Sequence, residues 1–199
     1  MKIIYFHGFS SSGASGTVQT LRRLMPEDEV IAPDIPVEPL EALPFLRELC
    51  EKEQPDVIIG TSMGGMYAHQ MRGIMSAKGV PVKIICVNPA INMSTMSKVL
   101  KTGEHKFLNG RKDGQKTFRI TRDIIQHHNQ IERQQFKDIT NEDKKNVWGL
   151  FGIHDTTCNT YGGFSKHYPQ CQRFDGEHQL NEKVLKKVVV PLVREIALG

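Results

Sequence analysis

Long apolar runs are missing from this sequence: charged residues, 24% of the 199, interrupt every hydrophobic stretch well before the roughly 20 residues a helix needs to cross a bilayer. No membrane span is expected. Cysteine is also scarce. Cys50, Cys86, Cys158 and Cys171 stand far apart with no C-x-x-C spacing, which argues against a zinc knuckle, a redox pair or a disulfide framework and leaves reduced thiols as the expectation. Aromatic residues make up 7% of the chain. They are sparse in the basic stretch between Lys98 and Lys116 and no nucleic-acid motif is present, so no nucleic-acid partner is expected. Linker-like Pro/Gly/Ser tracts, repeats and low-complexity segments are absent too, and the reading is a single domain over residues 1–199. The first residues, Met1 to Phe6, lead straight into His7-Gly8 without an apolar signal core and a small-residue cleavage site, so a cytoplasmic protein is expected.

Charge is present but unevenly placed. Between Lys98 and Lys116 six basic residues (Lys98, Lys101, Lys106, Arg111, Lys112 and Lys116) face two acidic ones (Glu104 and Asp113), a surplus equal to the whole formal net charge of +4. Such a patch attracts an anionic substrate, or is simply a solvated surface.

Short apolar runs alternate with amphipathic stretches, the pattern of a parallel sheet covered by helices on both faces. Candidate strands are Lys2 to Phe6, Glu29 to Ala32, Asp56 to Ile59, Val82 to Val87, Asn146 to Phe151 and Gln170 to Phe174. Helical spacing joins Val18, Leu21, Leu24 and Met25, then Leu43, Leu46, Leu49 and Cys50, then Met66 to Met75. The same rhythm runs from Leu180 to Ile196, where Pro191 predicts a kink or break. The segment from Asn88 to Asn141 is long for a crossover and carries Ile120, Ile124, Ile125 and His128 at helical spacing. It reads as a helical cap insertion that shapes a pocket.

Gly60-Thr61-Ser62-Met63-Gly64 follows the apolar run Val57-Ile58-Ile59 and opens into a helical stretch. This is the G-x-S-x-G pattern of a strand-to-helix turn that lifts a serine hydroxyl above a sheet edge. Such a serine needs an imidazole to take its proton and a carboxylate to orient the imidazole, in the chain order Ser, Asp/Glu, His, each after a later strand. Asp155 follows one candidate strand and His178 another. Ser62 is assigned as nucleophile, Asp155 as orienting acid and His178 as general base, with Asp175 as the alternative acid. Plainer roles exist: Ser62 as a small turn residue, Asp155 as a cap for the turn at Thr156 or Thr157, His178 as a surface histidine. The Met63 amide and the Phe9 amide, the latter in the loop His7-Gly8-Phe9, are the candidate oxyanion donors. His7 reads as structural.

His127-His128 diverge on a helix and have no ligand partner at suitable spacing, so no metal is expected. Ser10 to Gly16 is a small-residue loop, but it lacks both the P-loop ending and the dinucleotide fingerprint, and no cofactor is expected.

With His7-Gly8-Phe9, Gly60-Thr61-Ser62-Met63-Gly64-Gly65, Asp155 and Gly176-Glu177-His178, the chain resembles the α/β-hydrolases, and among them the small YqiA-like esterases, over nearly its whole length. The resemblance implies a compact serine esterase acting on small acyl esters or thioesters. The leading expectation is hydrolysis through an acyl-Ser62 intermediate. A thioesterase or acyltransferase with an anionic carrier is the alternative within chemistry, and a non-catalytic binding protein on the same scaffold is the alternative outside it. Acyl length, leaving group, pathway and oligomeric state are not written in the sequence.

Overall fold

The computed structural model describes residues 1–91 and 100–197. Residues 92–99, part of the segment read as a cap and including Lys98, lie outside the described residues, as do 198–199.

Strands β1 (Lys2–Phe6), β2 (Glu29–Ile31), β3 (Val57–Thr61), β4 (Lys83–Val87), β7 (Val147–Gly152) and β8 (Cys171–Phe174) form one sheet in the order β2-β1-β3-β4-β7-β8. Every pairing in it is parallel. All six match candidate strands of the sequence to within two residues at each end. A separate antiparallel hairpin, β5 (Gly103–Lys106) with β6 (Thr117–Ile120), stands apart from the sheet.

Strand periodicity divides the core. Ile3, Tyr5, Val57, Ile59, Ile85 and Val87 face one way and pack with Val18 and Leu21 of α1 (Gly16–Leu24) and with the C-terminal helix. Ile4, Phe6, Ile58, Ile84 and Cys86 face the other way. They meet α2 (Pro39–Glu53), α3 (Met63–Gln70) and α4 (Arg122–Arg133) through Leu46, Met66, Tyr67 and Ile124. Both faces are covered, which is why the strands read as continuous apolar runs rather than alternating ones. Each fully buried Leu, Ile or Phe contributes about 1.5–3 kcal/mol.

The helix ends follow local chemistry. Ser15 accepts the Val18 N–H to start α1, Glu38 accepts the Leu40 N–H with Pro39 at the first position of α2, and Thr121 accepts the Ile124 N–H to start α4. Short helices α5 (Asn141–Asn146) and α6 (Tyr161–Phe164) flank β7. The C-terminal helix α7 runs through an α-turn (Glu182–Val184), a π-helical turn (Leu185–Val189) and a final α-helix (Val190–Ala197). Pro191 was expected to kink or break this helix. Just before Pro191 the α-helical bonding gives way to the π-turn, closed by the Val190 N–H on the Leu185 carbonyl, an irregularity that accommodates the missing donor.

Three readings differ from the structure. The segment expected to be a helical cap holds the β5–β6 hairpin as well as α4. Ile120 belongs to β6 rather than to a helix with Ile124, Ile125 and His128, which do lie on α4. The helix after Ser62 ends at Gln70, short of Met75, because Gly73 adopts φ +79° and turns the chain.

Candidate active site

Because the sheet is parallel, the carboxyl ends of β3, β4, β7 and β8 share one edge, and the loops that follow them meet there. Ser62 follows β3 directly and holds φ +54° and ψ −119°, a region that non-glycine residues rarely occupy. What permits this turn is the absence of side chains around it. A Cβ on Gly60 would overlap the Gly64 carbonyl, and one on Gly64 would overlap the Phe6 carbonyl.

The loops after β7 and β8 bring the partners. His178 Nε2 lies 3.0 Å from Ser62 Oγ, and His178 Nδ1 lies 2.9 Å from Asp155 Oδ2. With a carboxylate accepting the Nδ1 proton, Nε2 remains free to accept from the serine hydroxyl. The other carboxylate oxygen, Oδ1, accepts the amide N–H groups of Thr157 and Cys158 at 2.7 and 2.8 Å. Asp155 thus bonds the imidazole with one oxygen and caps its own turn with the other. Asp175, the alternative acid, instead meets His154 at 3.1 Å and Lys183 at 3.5 Å in an exposed cluster.

Of the two candidate oxyanion donors, the Met63 amide directly follows the serine and Phe9 lies in the loop beside it. Met63 begins α3, where the N–H has no acceptor one turn back. A Cβ on Gly8 would come within 3.3 Å of Ser62 Cβ, so the Gly8-Phe9 peptide lies against the nucleophile position. Among the described residues neither amide donates a hydrogen bond to another backbone group. His7 supports this loop: its Nε2 accepts the Ile35 N–H at 3.1 Å and its Nδ1 donates to the Gly8 carbonyl at 2.8 Å. Burial pushes its imidazole down to about 4, which fits the structural role read from the sequence.

Beside this loop a narrow apolar slot of about 20 Å³ is walled by Phe9, Val37, Met63, Tyr67, Phe107 and Phe118. The hairpin supplies Phe118 and the connecting Phe107, and it is tied to the loop after β1: the Leu108 N–H donates to the Ser10 carbonyl at 2.7 Å and the Ser12 hydroxyl to the Gly110 carbonyl at 2.7 Å. Arg111 stacks on Phe107, 4.5 Å from the ring centre. Arg111 of the basic stretch therefore sits next to the slot.

Other histidines have separate tasks. His69 is buried, with Nε2 2.6 Å from the Tyr168 hydroxyl, and His167 stacks on Phe136 with ring centres 4.2 Å apart. Among the described residues no His/Cys/Asp/Glu cluster is arranged to hold a metal, and no helix is long and apolar enough to cross a membrane.

One residue escaped the sequence reading. Asn88, at the end of β4 with φ +43°, donates from Nδ2 to the Glu177 and His178 carbonyls at 3.0 and 3.1 Å and accepts the Gly152 N–H at 2.8 Å. The one signal for it was an asparagine at a strand end, a residue type that tolerates positive φ.

Comparison with known proteins agrees with this architecture. The model of the Uncharacterised protein family (UPF0227) matches residues 2–182. A search of curated proteins finds no match. Among solved structures, the chain is similar to a Paleococcus ferrophilus monoacylglycerol lipase at 14% identity, covering 99% of this chain and 94% of that one, with a TM-score of 0.68. It is similar to the esterase domain of a Rhodothermus marinus protein at 15% identity, covering 98% and 86%, with a TM-score of 0.67. A thioesterase domain from the curacin biosynthetic pathway matches at 14% identity over 98% and 90%, with a TM-score of 0.54. At such identities these likenesses show the fold, which is that of the α/β-hydrolases.

Proposed function

Because this chain belongs to the UPF0227 family, the YqiA-like branch of the α/β-hydrolase fold, we propose that it is a serine hydrolase cleaving small acyl esters through an acyl-Ser62 intermediate. The fold alone would not carry this reading, since one scaffold hosts many functions. The observation that carries it is the unbroken line from Ser62 Oγ through the His178 ring to Asp155, at 3.0 and 2.9 Å.

In this reading His178 takes the Ser62 proton as the oxygen attacks the substrate carbonyl. Asp155 steadies the imidazolium, and the Phe9 and Met63 amides receive the oxyanion. Collapse of the tetrahedral species expels the alcohol, which takes the proton held at Nε2. Water, deprotonated by the same nitrogen, then attacks the acyl-Ser62 carbonyl; the ester bond to Ser62 breaks as Nε2 returns the proton to Oγ, and the acid leaves. Every step uses side chains and backbone of this chain, and no cofactor enters it. Small acyl groups are favoured because the slot beside Phe9 is narrow. From the segment read as a cap, Phe107 and Phe118 wall it.

A thioesterase or acyltransferase is the second reading, favoured by the basic hairpin bonded to the loop after β1. Initial rates on 4-nitrophenyl acetate and on acetyl-CoA, measured from low to high salt, separate the two. The ester reading expects turnover of the neutral ester that salt leaves unchanged and that Ser62→Ala abolishes. A rate dominated by the CoA thioester and falling steeply with salt favours the second reading. No turnover of either would support the non-catalytic alternative.

A further inference from the structure

The assignment of Ser62, His178 and Asp155 leaves three buried polar side chains without a task. Tyr67 lies four residues beyond Met63 on α3, so the two share a helix face, and both line the slot beside Phe9. The His128 ring on α4 lies 6.1 Å from the Tyr67 ring, centre to centre. Glu132 follows one turn later on α4 and is buried with it. The three residues are 1%, 1% and 6% exposed. Neither the Tyr67 hydroxyl, nor either His128 ring nitrogen, nor either Glu132 carboxyl oxygen has a hydrogen-bond partner among the described residues. The Val37 carbonyl and the Glu38 carboxylate act on His128 from nearby, but not in bonding geometry.

Buried polar groups in native proteins are nearly always paired, because leaving one unpaired forfeits its hydration without return. Unpartnered polar atoms on two facing helices, beside a candidate active site, therefore point to a ligand.

The chemistry of the three selects the ligand. Burial pushes the Glu132 carboxyl up to about 7 and the His128 imidazole down to about 4, so the imidazole is neutral and the carboxyl keeps its proton up to about neutral pH. A carboxylic acid, a neutral imidazole and a phenol together present both donors and acceptors, and the nearby Glu38 carboxylate is already engaged by His127 Nδ1 at 2.8 Å. An anion would want a guanidinium or ammonium here, and a cation a committed carboxylate. A hydroxyl group, which donates once and accepts twice, fits the set.

We propose that Tyr67, His128 and Glu132 form a polar subsite for a neutral hydroxyl group carried by the substrate, so that hydroxylated short-chain esters are preferred to their plain alkyl counterparts. This rests on the reading of Ser62 as nucleophile and names the substrate class for it.

The test uses two matched pairs. 4-Nitrophenyl butyrate against 4-nitrophenyl 3-hydroxybutyrate places the hydroxyl on the acyl side, and ethyl butyrate against 2-hydroxyethyl butyrate places it on the alcohol side. In one pair kcat/KM is expected to favour the hydroxylated member by roughly tenfold or more. That preference should shrink toward unity in Tyr67→Phe and in Glu132→Met, each of which keeps the side-chain volume. Equal rates within both pairs, or a preference that survives both substitutions, would overturn the proposal in favour of a site filled by ordered water alone. Calorimetric titration of Ser62→Ala with the ethyl esters of butyric and 3-hydroxybutyric acid, and with 2-hydroxyethyl butyrate, reads the subsite without turnover. If the wild type cleaves no ester, the nucleophile reading falls, and the binding comparison decides the subsite by itself: tighter binding of a hydroxylated ester supports it, and equal binding refutes it.

Discussion

Asn88 grips the backbone of His178. Its side-chain amide donates to the carbonyls of Glu177 and His178 at 3.0 and 3.1 Å while its oxygen accepts the Gly152 N–H at 2.8 Å. The end of β4 is thereby joined to the end of β7 and to the loop after β8, the loop that carries the proposed general base.

Asn88→Ala should therefore act on turnover through His178 rather than on substrate binding. With the loop untied, kcat is expected to fall by roughly ten- to a hundredfold while KM changes little, since small misplacements of a catalytic group cost that much. Steady-state kinetics on a soluble ester checks this. A change in KM alone would remove Asn88 from the account.

Gly64→Ala should unfold the protein more easily. Its Cβ would overlap the Phe6 carbonyl, and the neighbouring strand and elbow have no room to separate. A loss of about 3 kcal/mol, at the upper end of the usual range for overpacking, is expected from urea unfolding. Gly16→Ala, where nothing lies within 4 Å, is the control and should be neutral or stabilising.

Acid should destabilise the fold before the carboxylates of its surface titrate. Burial holds His7 and His128 down to about 4 and His69 well below the ordinary value of 6.5. Below pH 6.5 the unfolded chain takes up protons that the folded chain refuses. Stability is therefore fully present above about pH 6.5 and is lost as the pH falls toward 4, by about 3 kcal/mol each for His7 and His128. Glu132, pushed up to about 7 from 4.5, works the other way and costs stability as the pH rises between those values. Urea midpoints between pH 8 and pH 4 should fall overall, and less steeply in His128→Phe. A flat profile would contradict the burial argument.

The thiols should be inert in the folded protein. Burial pushes Cys50 and Cys158 up to about 12 and Cys171 up to about 11, and raises Cys86 as well. Iodoacetamide at pH 8 is expected to leave the native protein unmodified and its esterase activity intact, whereas all four cysteines should react after denaturation, by intact mass. Rapid loss of activity with one alkylation at Cys158 would instead make that thiol part of the chemistry.

What the sequence made legible follows from the range of the interactions involved. The sheet was readable because apolar runs such as Val57 to Ile59 need only local pattern to declare a buried strand. The nucleophile turn was readable because Gly60 and Gly64 are demanded by backbone overlap that no side chain can relieve. Asp155 and His178 could be nominated by chain order, but choosing Asp155 over Asp175 depends on where two loops land, and only the folded sheet sets that. The hairpin was missed because its strands, Gly103–Lys106 and Thr117–Ile120, are polar and carry one fully apolar face only through Phe118 and Ile120. Asn88 and the trio of Tyr67, His128 and Glu132 were beyond reach for the same reason: their roles arise from contacts across long sequence separations, and pattern records only neighbours.

The central claim is that Ser62 is an activated nucleophile. Treating the folded protein with a fluorophosphonate probe and mapping the adduct by mass spectrometry tests it most directly. The account predicts one adduct, on Ser62, absent from Ser62→Ala and lost from His178→Ala while both variants remain folded. A folded wild type that takes no label and leaves 4-nitrophenyl acetate intact would contradict it.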